Sequence, residues 1–319
     1  MADRWAILLI LAFSNCTNMN TYEWTPTECS VPDQMMEIVH GEYTTIEGDK
    51  IQMAKNVIIN SEWGAPNSEY IQGDERKGIP ENVELTWYSF SEDAFYTLNE
   101  RLPDLSTYFE KGLYDGSTGS FEPLGSICLG FAPGGHVNVW LQNMDQSILL
   151  VSFNGKLTDL DWKTTMDVGA TKEEFLDEVQ REYRMGGHDS YTEQEILSFN
   201  RLKEVELEFH LKGTPGVLAI EYFNGEKKRY VLDQLKCSIP YAGPMKQIDL
   251  SVDTEHGKRR IVIDLNKEEI LETWAECREK LIFRSYINIF SNEVKIDVHC
   301  GDRTRNLSQF KSSLYLQED

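Results

Sequence analysis

Leu129-Gly130-Phe131-Ala132-Pro133-Gly134-Gly135-His136-Val137-Asn138-Val139-Trp140-Leu141 reads as two strands folded about a tight turn. Pro133 presets φ for the turn, and Gly134 and Gly135 reach positive φ without a Cβ clash. The arms are apolar, β-branched or aromatic, as strand residues are. His136 is expected to be an exposed residue at the turn.

The same grammar recurs on both sides. Upstream, Ile51 to Trp63 and Val83 to Phe90 carry strand-like residues. Ser91 offers an N-cap, and Phe95, Leu98 and Leu102 then recur at helical spacing before Pro103, which predicts a helix over Glu92 to Leu102. Downstream, Ile148 to Phe153 reads as a strand. Thr171 with Glu174 and Thr192 with Glu195 are capping boxes for helices over Lys172 to Met185 and Glu193 to Leu202, the first ended by Gly186-Gly187.

The second half is a run of hairpins. Val205, Leu207, Phe209 and Leu211 alternate with Glu204, Glu206 and Glu208. Val217 to Phe223 turns at Asn224-Gly225 into Arg229 to Leu232, the strongest short hairpin signal. Ile248 to Val252 pairs with Arg260 to Leu265. Asn266 and Glu269 open a helix over Lys267 to Lys280, with Ile270, Trp274, Cys277 and Leu281 along one stripe, before a last hairpin from Phe283 to Val298.

This pattern predicts an α+β fold, β-rich, with antiparallel sheets and a few helices. Strand Val83–Phe90, helix Glu92–Leu102 and hairpin Ile127–Leu141 are matched in order by strand Arg260–Leu265, helix Lys267–Lys280 and hairpin Phe283–Val298. Two related strand–helix–hairpin halves are therefore expected. The division is a signal peptide over 1–16, a tether over 17–36, a β-rich half over 37–165, a helical bridge over 166–203 and an antiparallel half with one helix over 204–319.

The start of the chain bears on location. Trp5 to Phe13 gives nine apolar residues. As a helix they span about 14 Å, too short for a hydrocarbon core of roughly 30 Å and suited to a signal peptide. Ser14-Asn15-Cys16 resembles a bacterial lipobox, which makes Cys16 the expected lipidation site. The segment Thr17 to Pro32, polar and proline-bearing, suits a tether. The expected location is the cell envelope, on the periplasmic face of the outer membrane.

The formal net charge of -22 repels nucleic acid and favours a basic protein partner. With Cys16 set aside, Cys29, Cys128, Cys237, Cys277 and Cys300 allow at most two disulfides, of open connectivity. Cys277 reads as a packing residue. No G-x-S-x-G elbow, P-loop, G-x-G-x-x-G or H-E-x-x-H occurs, so no catalytic residue, metal or cofactor is assigned. Gly116 to Ser120 reads as a flexible loop, and His188-Asp189 as local hydrogen bonding. His299, Cys300 and Asp302 make only a partial metal cluster. The glutamates at 204, 206 and 208 read as an exposed face, with an acidic recognition surface as the sharper reading. Tryptophans 24, 63, 87, 140, 162 and 274 raise carbohydrate stacking, though core is expected for most of them.

Glu84-Leu85-Thr86-Trp87 and the hairpin from Leu129 to Leu141 resemble a bacterial lipoprotein family of uncharacterised function. In that family a V-x-W strand precedes a G-[LF]-A-P-G-G-x-V-x-V-W-L hairpin. Trp274 to Val298 is similar to the tail of its longer members, and Cys16 fits their export signal. Members are often encoded beside type VI secretion phospholipase effectors, so the resemblance implies a periplasmic immunity role and brings no catalytic residue. The expected function is a lipid-anchored periplasmic binding protein, an immunity protein against a secreted phospholipase or other basic toxin. A carbohydrate- or envelope-binding module and a hydrolase with a dispersed active site are the alternatives.

Overall fold

A computed structural model of the chain describes residues 21–67, 74–166, 169, 171–182 and 191–316. In the first half the strands are β1 (Tyr22–Glu23), β2 (Thr25–Ser30), β3 (Met36–Thr45), β4 (Lys50–Gln52), β5 (Ile58–Ile59), β6 (Arg76–Lys77), β7 (Pro80–Ser89) and β8 (Ala94–Arg101). Helix α1 (Ser106–Lys111) follows, then β9 (Leu113–Asp115), β10 (Ser120–Glu122), β11 (Ser126–Ala132), β12 (His136–Gln142), β13 (Ser147–Asn154) and β14 (Lys156–Thr158). Helices α2 (Trp162–Thr165), α3 (Lys172–Glu182) and α4 (Glu193–Phe199) form the bridge. The second half holds β15 (Lys203–His210), β16 (Thr214–Tyr222), β17 (Lys227–Val231), β18 (Lys236–Ala242), β19 (Met245–Thr254) and β20 (Gly257–Leu265). Helix α5 (Lys267–Glu276) leads to β21 (Leu281–Asn288), β22 (Glu293–Cys300), β23 (Arg303–Leu307) and β24 (Phe310–Leu316). The fold is β-rich α+β, as expected.

Sheet order makes two units of one topology. In the first, β2 lies parallel to β11, which continues antiparallel to β12 and β13, and a second sheet runs β14-β8-β7-β3-β4. In the second, β15 lies parallel to β21, which continues to β22 and β23, and the partner order is β24-β20-β19-β16-β17; β18, antiparallel to β15 at the sheet edge, has no counterpart beside β2 among the described residues. A helix precedes β11 and β21 alike. The two halves expected from sequence thus share a strand order, with the correspondence shifted by one element. The segment read as a helix over Glu92 to Leu102 is β8, the counterpart of β20, and the counterpart of α5 is the short α1.

The reason lies in burial on both faces of β8. Tyr96 and Leu98 enter the core between the first unit's sheets, while Phe95 packs outward beneath α2 and α3 with Tyr88, Phe90, Trp162 and Phe175. Apolar side chains on both faces mimic a helical period. Ser91 to Asp93 forms a turn, with Asp93 at φ 51, so its capping chemistry closes a hairpin.

Other expectations change at the edges. The presumed tether is folded from residue 21: Trp24 is buried, and β2 pairs along six residues of β11. Pro26 is tolerated there because β2 is an edge strand of its sheet. Ile51 to Trp63 is not one strand, since Asn56 at φ 59 breaks it between β4 and β5. Helix α5 stops at Glu276, and Cys277 is no mere packing residue, because it forms a disulfide with Cys300. Cys29 and Cys128 are buried thiols, and burial, then the neighbouring Cys128, pushes the Cys29 thiol up. The signal peptide, Cys16, Gly186-Gly187 and His188-Asp189 lie outside the described residues.

The two units share a nine-stranded sheet, in order β2-β11-β12-β13-β17-β16-β19-β20-β24. One paired position, Ser147 with Lys227, joins β13 to β17. Ile127, Leu129, Phe131, Val137, Val139 and Leu141 pack with Val83, Leu85 and Trp87. From the opposite face of the same hairpin, Cys128, Ala132 and Trp140 join a core shared with the second unit. That double coverage explains the near-continuous burial of β11 and β12.

Candidate binding cleft

The seam between the units opens a cleft. Directly opposed residues Thr25, Ser126, Gln142, Ser147, Lys227, Glu221, Gln247, Asp264 and Lys311 form one row through all nine strands. Every member is polar. The first six line a cleft of about 810 Å³, walled by the loop from Glu62 to Pro66, the segment from Glu122 to Gly125, the β12–β13 turn and the β16–β17 hairpin.

Local sequence explains each wall. In the β12–β13 turn, the Asn143 side-chain oxygen accepts from the amides of Asp145 at 3.0 Å and Gln146 at 2.8 Å, an Asx-type closure. In the Asn224-Gly225 hairpin, the Asn224 side-chain oxygen accepts from the Glu226 amide at 3.1 Å. The tip then rests on the first unit: Trp140 Nε1 donates to the Asn224 carbonyl at 3.0 Å, and Trp63 meets Trp140 edge-on at 4.9 Å. Gly64 and Gly225 touch backbone to backbone, both at φ 81, and a Cβ on Gly64 would stand 2.6 Å from Gly225 Cα. Only glycine permits that approach.

Apart from Glu122, which accepts from the Ser120 hydroxyl at 3.0 Å, the carboxylates of the cleft are engaged by cations. Glu221 meets Lys227 at 2.8 Å, Glu226 meets Lys228 at 2.9 Å, Asp145 meets Arg229 at 2.7 Å and Glu62 meets Lys246 at 3.5 Å. The uncharged groups are not. Gln142 Nε2 donates to the Gly64 carbonyl at 2.6 Å and to Ser147 Oγ at 3.0 Å, which orients the amide and leaves Oε1 without a donor. Thr27 Oγ1, Trp63 Nε1, Asn143 Nδ2 and Gln146 Nε2 are buried without a hydrogen-bond partner as well. Thr27, Gln142 and Gln146 are 3%, 5% and 4% exposed, so these are interior positions. Each such group left unpaired costs about 1–3 kcal/mol. Their concentration at one cleft marks it as the candidate site, with chemistry suited to holding a polar ligand.

The residues singled out from sequence lie elsewhere. Pro133, Gly134 and Gly135 make the expected turn, with Gly134 at φ 76 and Gly135 at φ 77. His136, however, is buried at 8% exposure, and its Nε2 lies 3.5 Å from Glu193 Oε1 at the start of α4. The Gly134 amide donates to Glu92 Oε1 at 2.9 Å. The turn is a packing joint because the bridge helices cover it. Glu204, Glu206 and Glu208 form no free acidic surface. Lys280 spans Glu204 and Glu206 at 2.9 Å, while Arg284 holds Glu208 at 2.6 Å. Arg284 and then Lys236 pull the Glu208 carboxyl down to about 2. Cys300 is spent in the disulfide, and the ring nitrogens of His299 face Thr304 at 2.8 Å and Arg284 at 3.2 Å. Trp24, Trp63, Trp87, Trp140 and Trp274 are buried, so they form no stacking platform.

Sequence reasoning missed Thr27, Gln142, Asn143 and Gln146, and it named Trp63 only as one of six tryptophans that raise stacking. Asn143-Met144-Asp145-Gln146 carries a turn signal between two strands, but nothing local tells that the turn borders a second unit.

Residues 14–190, which are 177 of the 319 residues, match the sequence profile of a family described as "Protein of unknown function (DUF2931)". No curated protein matches the chain, and no solved structure does.

Proposed function

The chain belongs to the DUF2931 family, and we propose that it is a lipid-anchored periplasmic binding protein that protects its cell by occupying a basic secreted toxin, a phospholipase among the candidates. The observation that supports this reading best is the seam cleft. Four of its five carboxylates, all but Glu122, are engaged by lysines and arginines, and its floor presents neutral donors and acceptors, an arrangement for holding rather than for acid–base chemistry. The net charge of -22 draws a basic partner toward it. Export and attachment rest on the apolar run from Trp5 to Phe13 and on Cys16.

Co-expression with the product of the adjacent gene, followed by purification in detergent, tests the role. The expected result is a complex that weakens as salt rises, and a deletion strain that becomes sensitive to the toxin. Absence of a complex together with unchanged sensitivity defeats the proposal. Mass spectrometry of the mature chain tests the anchor separately, by looking for a diacylglycerol-modified Cys16.

A further inference from the structure

We propose that the floor of the seam cleft is a binding site for a short stretch of uncharged glycan, independently of any toxin partner. Three features carry this. The floor is the face of a sheet, so its backbone groups are consumed in the ladder and recognition falls to side chains. Thr25, Ser126, Gln142 and Ser147 stand on successive strands, and strands lie about 4.8 Å apart, so hydroxyls and an amide repeat at a regular interval. The unpartnered groups are of mixed sense: Gln142 Oε1 accepts, while Asn143 Nδ2, Gln146 Nε2 and Trp63 Nε1 donate.

A sugar hydroxyl both donates and accepts, so one ligand type answers the whole set. A phosphate would serve the donors but leave the Gln142 acceptor without a partner, and the lysines that line the cleft, Lys227 and Lys246, are already engaged by Glu221 and Glu62. A metal ion would find three N–H donors aligned against it. The cleft's 810 Å³ falls within the roughly 300–1,000 Å³ of small-molecule sites. Met144, fully exposed on the rim, leaves the entrance open. A saccharide seated on the floor would bring hydroxyl partners to side-chain atoms that have none within the protein.

The test uses the full chain purified in detergent and titrated by calorimetry with chitotetraose, cellotetraose, pentaglycine and inorganic phosphate. The expected result is saturable binding of a tetrasaccharide with a shift in tryptophan emission reporting on Trp63. Gln142→Leu and Gln146→Leu should each weaken that binding roughly tenfold or more. Gln247→Leu, on the same row beyond the cleft, should leave it unchanged. Melting temperatures of all variants establish folding, and Asn143→Ala replaces any variant that fails to fold. The proposal is overturned if neither saccharide binds, if binding ignores every cleft variant, or if pentaglycine or phosphate is the species bound. None of these outcomes depends on the adjacent gene product.

Discussion

Trp140 donates its indole N–H to the carbonyl of Asn224 at 3.0 Å, a bond between strand β12 of one unit and the hairpin tip of the other. Both partners are fully buried, so the carbonyl has no water to turn to. Trp140→Phe keeps most of the ring and removes the donor. Urea unfolding should show a loss of about 1–2 kcal/mol, and an unchanged midpoint would deny the bond its role.

The contact between Gly64 and Gly225 sets the wall of the cleft. Gly225→Ala would place a methyl 2.9 Å from both Gly64 Cα and the Trp140 ring, in a backbone conformation that side chains resist. A destabilisation of about 2–3 kcal/mol is expected. Proteolysis should also rise between residues 62 and 66. Gly119→Ala is the control, since it too has positive φ but open space around it.

Glu269 lies in the first turn of α5, where a capping box would turn its carboxylate back on Asn266. It instead accepts from the amides of Ser308 at 3.0 Å and Gln309 at 3.0 Å, pinning the β23–β24 connection to the helix. Glu269→Ala should cost about 3 kcal/mol. Hydrogen exchange should quicken at those two amides first, and uniform exchange across the molecule would argue against a local pin.

Cys277 and Cys300 close a loop with a sequence separation of 23. Reduction by dithiothreitol should lower stability by about 3 kcal/mol, as restriction of the unfolded chain predicts. The double variant Cys277→Ser, Cys300→Ser should match the reduced wild type. Stability indifferent to reductant would show that the bond does not form in solution.

Glu37, 3% exposed on the outer face of β3, has its carboxyl pushed up to about 7 by burial. Below its ordinary value of 4.5 the group is neutral whether folded or unfolded, and it costs nothing. Between 4.5 and about 7 only the unfolded chain gives up its proton, so stability falls as pH rises, and it levels off above about 7. Glu37→Gln should therefore raise the melting temperature at pH 8 and leave it nearly unchanged at pH 4. A gain equal at both values would assign the effect to packing instead.

The hairpin at Pro133 to Gly135, the Asn224-Gly225 turn and the caps at Thr171, Thr192 and Asn266 were legible because each is local chemistry with a fixed spacing. What failed was wherever two faces of an element were covered. Phe95, Leu98 and Leu102 imitated a helix because β8 packs on both sides. Pro26 disguised an edge strand as linker. The cleft was illegible for a different reason: Gln142, Asn143 and Gln146 are ordinary turn-flanking residues until the second unit's hairpin is brought against them.

The single paired position between Ser147 and Lys227 has a consequence for the free side of β13. A polypeptide that ended after β14 would keep its own sandwich but present β13 as a bare edge, the geometry that invites intermolecular strand pairing. In this chain the Ser147–Lys227 pair closes that edge at one end, and from Ile148 to Asn154 β13 has, among the described residues, a ladder partner on its β12 side alone.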